Sequence, residues 1–190
     1  MDSRGELPDE QAHIRRAQAN PRDFAPLYDH YLPRVYKFYR YRVDDIATAQ
    51  DLTARTFERA LADIRRYQAE RAPFAAWLFG IANNTVGSHY RAERRQHTPL
   101  DDLPESASDE PTLEEAAIVA ETSAQVAQAV AQLREHEREL IALKFAAGLP
   151  NTQIAVMTRQ SESNVGVTLY RSLQKVRRIL SAEEIIHDRT

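Results

Sequence analysis

From Pro73 to Arg95 the chain repeats its apolar residues with the period of an α-helix, Phe74, Trp77, Leu78, Ile81 and Thr85 falling on one side. Pro73 can occupy the first turn, where its missing N–H costs nothing. Beside this face Asn84, Ser88, Arg91 and Arg95 follow at i, i+4, i+7 and i+11, a second stripe able to hydrogen-bond base edges and neutralise phosphates. Upstream, Tyr67 and Arg71 lie in a short non-helical lead that can set an aromatic ring and a cation against an unstacked base. An amphipathic helix with core aromatics and a solvated basic end has the same pattern.

The rest of the chain keeps that helical period. Glycine occurs only five times and no β-branched alternation competes, so the expected fold class is all-α. Charge divides the helices into two groups. Asn20 to Gln96 carries 13 Lys and Arg against 9 Asp and Glu, and Leu133 to Leu180 carries 8 against 4. Between them His97 to Ser123 holds eight acidic residues, Pro99, Pro104 and Pro111, and no Lys or Arg, the composition of a flexible acidic linker whose end joins a helix at about Leu113. The formal net charge of −3 therefore conceals two basic lobes. The expected division is an N-terminal extension 1–19, a first lobe 20–96, the linker 97–123, a second lobe 124–180 and a frayed tail 181–190.

In the first lobe, tyrosine-rich Phe24 to Arg42 contains Pro33, which is expected to kink the helix or begin a new one. Asp44 and Asp45 suit a helix start. The next helix, about Ile46 to Tyr67, is expected to bury Thr53, Phe57, Ala60, Leu61 and Ile64, with Asp51, Leu52, Arg55 and Arg59 outside. An exposed Leu52 ringed by charges is a rim position or part of a docking face.

In the second lobe Leu133, Leu140, Ile141 and Phe145 stripe a helix expected to end at Gly148, with Pro150 as stop and Asn151 as N-cap. Thr152 to Met157, a turn at Thr158 to Ser161, and a longer helix Glu162 to Leu180 with Val165, Leu169, Leu173 and Val176 inward have helix-turn-helix spacing. Ser163, Asn164, Val167, Thr168 and Arg171 are then candidate base readers, and Lys175, Arg177 and Arg178 incline toward phosphates. An ordinary helical hairpin with a basic outer face remains open.

Three segments in order, Ala49 to Leu61 (AQDLTARTFERAL), Arg71 to Thr85 (RAPFAAWLFGIANNT) and Leu133 to Met157, give the chain a resemblance over about Asp23 to Arg178 to bacterial sigma-70-family RNA polymerase sigma factors of the extracytoplasmic-function (ECF) group. The resemblance implies a sigma-2 helical bundle and a sigma-4 helix-turn-helix domain. It implies that Asp51, Leu52, Arg55, Thr56 and Arg59 dock on the clamp helices of core RNA polymerase. Tyr67, Arg71, Asn84, Ser88, Arg91 and Arg95 would melt and read the minus-ten promoter element, Asn84 beside a flipped-out base. Ser163, Asn164, Val167, Thr168, Arg171 and Lys175 would read the minus-thirty-five element as duplex DNA, and the acidic linker would thread toward the polymerase active site. Gly166 and Thr168 stand where family recognition helices often carry Lys or Arg, so the promoter sequence does not transfer. An anti-sigma factor is an expected partner.

Other classes are poorly served. Six scattered histidines form no H-E-x-x-H, and neither a phosphate-binding glycine loop nor a G-x-S-x-G elbow occurs, so no enzyme, metal or cofactor is expected. Absence of cysteine excludes thiol chemistry within the chain. With no signal pattern and no apolar stretch of about 20 residues, a cytoplasmic protein without membrane insertion is expected. The alternative from a different class is a repressor or activator that uses the helix-turn-helix without polymerase; the Ala49 to Leu61 segment disfavours it.

Overall fold

Residues 7–96 and 114–187 are described by a computed structural model, and among them there are helices and turns but no strand. Lobe one contains α1 (Glu10–Ala19), α2 (Ala25–Arg40), α3 (Ile46–Asp63) and α4 (Phe74–Gln96), with single 3-10 turns at Pro21–Phe24 and Ile64–Arg66. Lobe two contains α5 (Glu114–Ala131), α6 (Glu135–Ile141), α7 (Asn151–Thr158) and α8 (Glu162–His187), α6 running into a π-helical turn at Ala142–Ala146.

Asp45 starts α3 as expected, its carboxylate accepting the Thr48 N–H at 2.6 Å. Those hydrogen bonds hold the Asp45 pKa below the usual carboxylate range. Pro33 lies inside α2 without ending it. Its ring is on the solvent side, while Tyr31, Val35, Phe38 and Tyr39 on the buried side pack the helix across the missing hydrogen bond.

Leu27, Val35 and Phe38 of α2, Leu52, Phe57 and Ala60 of α3, and Phe74, Leu78, Phe79 and Ala82 of α4 form the centre of lobe one. Helix α1, in the segment expected to be an extension, belongs to this lobe: Ile14 and Ala17 are buried, and the Tyr31 hydroxyl donates to Glu10. Burial raises the pKa of Tyr31, and that of Tyr39 is pushed up to about 12 for the same reason.

In lobe two, Leu140, Leu143, Ile154, Val165 and Leu169 are buried together. Gly148 has φ of 67° and ends the first helical stretch, as expected. Asn151, expected to cap the next helix, is instead its first residue, following Pro150, and makes no cap hydrogen bond. The helix expected to begin at about Leu113, at the end of the linker 97–123, is α5, which starts at Glu114; residues 97–113 lie outside the described residues. Beyond the expected end at Leu180, α8 continues to His187.

The lobes touch through a polar clasp. Arg42 of lobe one has only 4% of its side chain exposed, and its Nη1 donates to Asn83 Oδ1 at 2.9 Å and lies 3.9 Å from Glu139 of α6. Asn83 donates in turn to the same Glu139 oxygen at 2.8 Å. Around this centre Arg138 pairs with Asp44 at 3.0 Å, Arg94 with Glu135 at 3.4 Å, and Arg34 donates to the Ala147 carbonyl beside Gly148.

Candidate nucleic-acid interface

Helix α4 presents three faces. Phe74, Leu78, Ala82 and Val86 enter the core, and Asn83 and Arg94 turn to lobe two. The third face is the expected stripe: Asn84, Ser88, Arg91 and Arg95 are all exposed. Their side chains form a chain along the helix, Ser88 donating to the Asn84 carbonyl at 2.9 Å, Arg91 to the Ser88 hydroxyl at 2.9 Å, and Arg95 to the Arg91 carbonyl at 3.1 Å. The Asn84 amide and two guanidinium groups thus face solvent on one side. Trp77 and Ile81, expected in the core, are half-buried, and Trp77 stands seven residues before Asn84 on that same side.

Tyr67 corrects the expectation of a ring free to stack on a base. It is buried, its ring centroid 5.4 Å from Phe74 and 5.2 Å from Trp77, and its hydroxyl donates to the Ala72 carbonyl at 3.0 Å. Burial raises its pKa, with Glu10 and Glu70 adding to the effect. Pro73 precedes α4 rather than entering it, its carbonyl accepting the Trp77 N–H at 3.1 Å. Residues 67–73 form an arch whose crest, Gln68 to Arg71, is exposed and whose feet are held by Tyr67. Arg71 is on that crest.

On α3, Asp51, Arg55 and Arg59 are exposed as expected; Arg55 pairs with Asp51 at 2.9 Å and Arg59 lies 3.9 Å from Asp63. Leu52 and Thr56 are not: Leu52 is 1% exposed and Thr56 is fully buried, its hydroxyl donating to the Leu52 carbonyl and sharing a hydrogen bond with Tyr39. Leu61, expected inside, is 39% exposed. The buried stripe is rotated toward Leu52 because Thr53 and Thr56 satisfy their hydroxyls on carbonyls of their own helix and can enter the core.

The helix-turn-helix is formed by α7, a turn at 159–161 with Arg159 in the left-handed region at φ 56°, and α8. Ser163, Asn164, Val167 and Arg171 are exposed near the start of α8; Asn164 is drawn back to the Gln160 side chain at 2.8 Å. Thr168 is half-buried, and Lys175 is engaged by Glu137 of α6. Glu137 also accepts the Arg134 N–H at 3.1 Å. Burial works against its carboxylate, but the hydrogen bonds from Lys175 and Arg134 outweigh it and hold the pKa below the usual value.

Leu173 and Phe145 are 43% and 47% exposed, although the sequence pattern places both inward; buried Ser172 takes the place of Leu173, its hydroxyl bonded to the Thr168 carbonyl. The open face of α8 therefore runs through Ser163, Val167, Tyr170, Arg171, Gln174 and Arg178. Tyr170 and Gln174 were not among the expected readers; their signal is the i+3 and i+7 spacing from Val167.

Among the described residues no group of His, Asp and Glu could hold a metal ion, and no helix is long and apolar enough to cross a membrane.

The described residues thus form two helical lobes, one with an exposed polar face on α4 and one with a helix-turn-helix. Residues 27–96 match the family described as Sigma-70 region 2, and residues 123–176 match Sigma-70, region 4. Sequence similarity extends to the ECF RNA polymerase sigma factor BldN of Streptomyces coelicolor, 32% identical over 88% of this chain and 64% of that one. ShbA of Streptomyces griseus, another ECF RNA polymerase sigma factor, is 31% identical over 67% of this chain and 69% of that one. The chain thus spans just under two thirds of the length of BldN. The sigma factor RpoE of Bartonella quintana, solved with the anti-sigma factor NepR, shares the fold with a TM-score of 0.65 at 20% identity, over 84% of this chain and 97% of that one. The chain belongs to the ECF group of RNA polymerase sigma factors.

Proposed function

We propose that the protein is an initiation factor that binds core RNA polymerase and directs it to promoters with two elements. Lobe one, residues 7–96, opens and reads the minus-ten element; lobe two, residues 114–187, reads the minus-thirty-five element as duplex. The observation that carries this reading is the uncovered stripe Asn84, Ser88, Arg91 and Arg95, in a lobe that also exposes the crest of the arch. Holding a base out of the stack costs a few kcal/mol, which a site combining hydrogen-bond donors, cations and an apolar wall can supply. Arg71 is exposed on the crest, while Tyr67 supports the arch from within. Asp51, Arg55 and Arg59 form the polar part of the polymerase-docking face, which Leu52 and Thr56 support from beneath.

On α8 the base readers are Ser163, Asn164, Val167 and Arg171, with Tyr170 and Gln174 in reach of the same groove. Thr168 contributes from the edge. Lys175 joins only by leaving Glu137. An anti-sigma factor is the expected inhibitory partner, in line with the NepR-bound relative. The chain carries no catalytic group in this reading; the chemistry belongs to the polymerase.

The test is reconstitution. Purified protein with core polymerase should start transcripts from a promoter selected by the complex, and failure to bind core ends the proposal. Asn84→Ala should reduce open-complex formation about tenfold or more, as expected for lost base contacts of about 1–3 kcal/mol, with core binding unchanged; equal loss of both would contradict the role given to Asn84. A polymerase-independent regulator would instead bind duplex tightly and specifically without core.

A further inference from the structure

Helix α1 lies before residue 27, where the Sigma-70 region 2 match begins, yet one of its side chains reaches the foot of the arch. The Gln18 amide nitrogen donates to two backbone carbonyls, of Ile64 at 3.2 Å and of Tyr67 at 2.9 Å. These carbonyls bracket the 3-10 turn Ile64–Arg66 that carries the chain from α3 into the arch. The Tyr67 N–H closes the same turn on the Ile64 carbonyl at 3.1 Å, and the Tyr67 hydroxyl fixes the far end of the arch on Ala72.

Both ends are therefore pinned, and the pin at the near end comes from a helix 46 residues away in sequence. Helix α1 is itself rigidly seated by Ile14, Ala17 and the Tyr31–Glu10 hydrogen bond.

The chemistry at this point is selective. Two carbonyls facing one side chain call for two N–H donors on one atom, which a carboxamide supplies and a carboxylate of the same size and shape does not. Replacing Gln18 by Glu would put acceptor against acceptor. A side chain needed only to fill space would tolerate that change better than one needed to hold the arch.

We propose that Gln18 is a positioning residue for promoter opening: from α1 it sets the pose of the arch 67–73 against which an extruded base is held. The inference rests on the minus-ten role proposed for lobe one. Gln18 touches no DNA; it acts through the Ile64 and Tyr67 carbonyls on Arg71 and the crest.

The experiment compares two templates that differ only in whether the base must be extracted. One is the duplex promoter selected by the wild-type holoenzyme; the other carries a mismatched, already open bubble across the minus-ten element. Opening is read by permanganate reactivity of unpaired thymines, initiation by transcript yield, and core binding and thermal stability are measured separately.

Gln18→Glu and Gln18→Ala should lower opening of the duplex about tenfold, the size of effect that losing one or two well-made hydrogen bonds gives. On the bubble template both variants should come within about twofold of wild type, with core binding unchanged. Tyr67→Phe, which releases the other end of the arch while keeping the ring, should reproduce the template-selective loss.

If wild-type protein neither binds core nor initiates, the sigma-factor reading fails before Gln18 is tested. Should wild type initiate while the Gln18 variants open the duplex equally well, the positioning role is wrong. Equal losses on duplex and bubble, or a parallel loss of core binding, would reduce Gln18 to general support of the fold and overturn the proposal. A variant too unstable to assay is replaced in the same comparison by Tyr67→Phe, whose indifference to template would also overturn it.

Discussion

Substitution of Glu139 should loosen the two lobes from one another, and the clasp geometry sets the size of the effect. Arg42 is 3% exposed, and its Nε is buried without a hydrogen-bond partner. Its charge is answered by Glu139 at 3.9 Å and by the Asn83 amide oxygen, and Asn83 in turn depends on Glu139 as acceptor. Glu139→Ala thus removes the nearby counter-charge and leaves an amide donor unsatisfied. Breaking a fully buried ion pair costs about 3–5 kcal/mol. The Glu139 side chain is 23% exposed and the ions are not in direct hydrogen-bond contact, so water can enter and screen what remains. The expected loss is about 1–3 kcal/mol, most of it the unsatisfied Asn83 and the uncompensated Arg42. A double-mutant cycle isolates the coupling, because Asn83 is on lobe one and Glu139 on lobe two. Urea unfolding of Asn83→Ala, Glu139→Ala and the pair should give an interaction energy of about 0.5–3 kcal/mol, and small-angle X-ray scattering should find Glu139→Ala more extended than wild type. Additivity within about 0.5 kcal/mol, together with an unchanged scattering profile, would refute the reasoning.

Gly166→Ala should raise stability by about 0.5–1 kcal/mol in thermal or urea unfolding, because a Cβ there meets only the Asn151 amide nitrogen at 3.8 Å. Glu137 makes the second lobe acid-sensitive. With its folded pKa below the ordinary 4.5, its contribution is fully present above that pH and is lost as pH falls through the folded pKa; unfolding measured from pH 6 to 3 should show Glu137→Gln flattening the acid limb. Leu52→Ala should cost about 2–5 kcal/mol of stability as a core truncation, whereas Arg55→Glu should leave the melting temperature nearly unchanged and weaken core binding; a reversed pattern in paired melting and pull-down assays would return Leu52 to the surface.

Much of the helical layout can be read along the chain. Asp45 announces α3 and Gly148 closes the stretch that begins at α6, because capping and left-handed backbone are local requirements. The stripe from Asn84 to Arg95 is legible for a similar reason: one helix period fixes which residues share a side. What hydropathy misplaces is the rotation of α3 and α8. Leu61 and Leu173 have the side chains of core residues, but the core takes Thr56 and Ser172, whose hydroxyls return to carbonyls one turn earlier and so hide their polarity. On α8 the choice between adjacent Ser172 and Leu173 alone turns the face by about 100°. Tyr67 is misread by a different route, since an aromatic beside an arginine suits stacking equally well on a base or on Phe74 and Trp77. The Arg42–Glu139 and Arg138–Asp44 contacts and the reach of Gln18 are tertiary, joining residues whose spacing carries no periodic signal.

Because both halves of the clasp are carried by one chain, its closure is unimolecular. Tethered partners meet at an effective concentration of order millimolar, so a contact with an intrinsic dissociation constant near 1 mM, about 4 kcal/mol, already keeps the lobes together half the time. Arg42, Asn83 and Glu139 need no affinity that would join two separate proteins. The same arithmetic sets the threshold for any molecule that must part them: at about 1 μM, a competitor for either side of the clasp has to bind it about a thousandfold more tightly than the other lobe does.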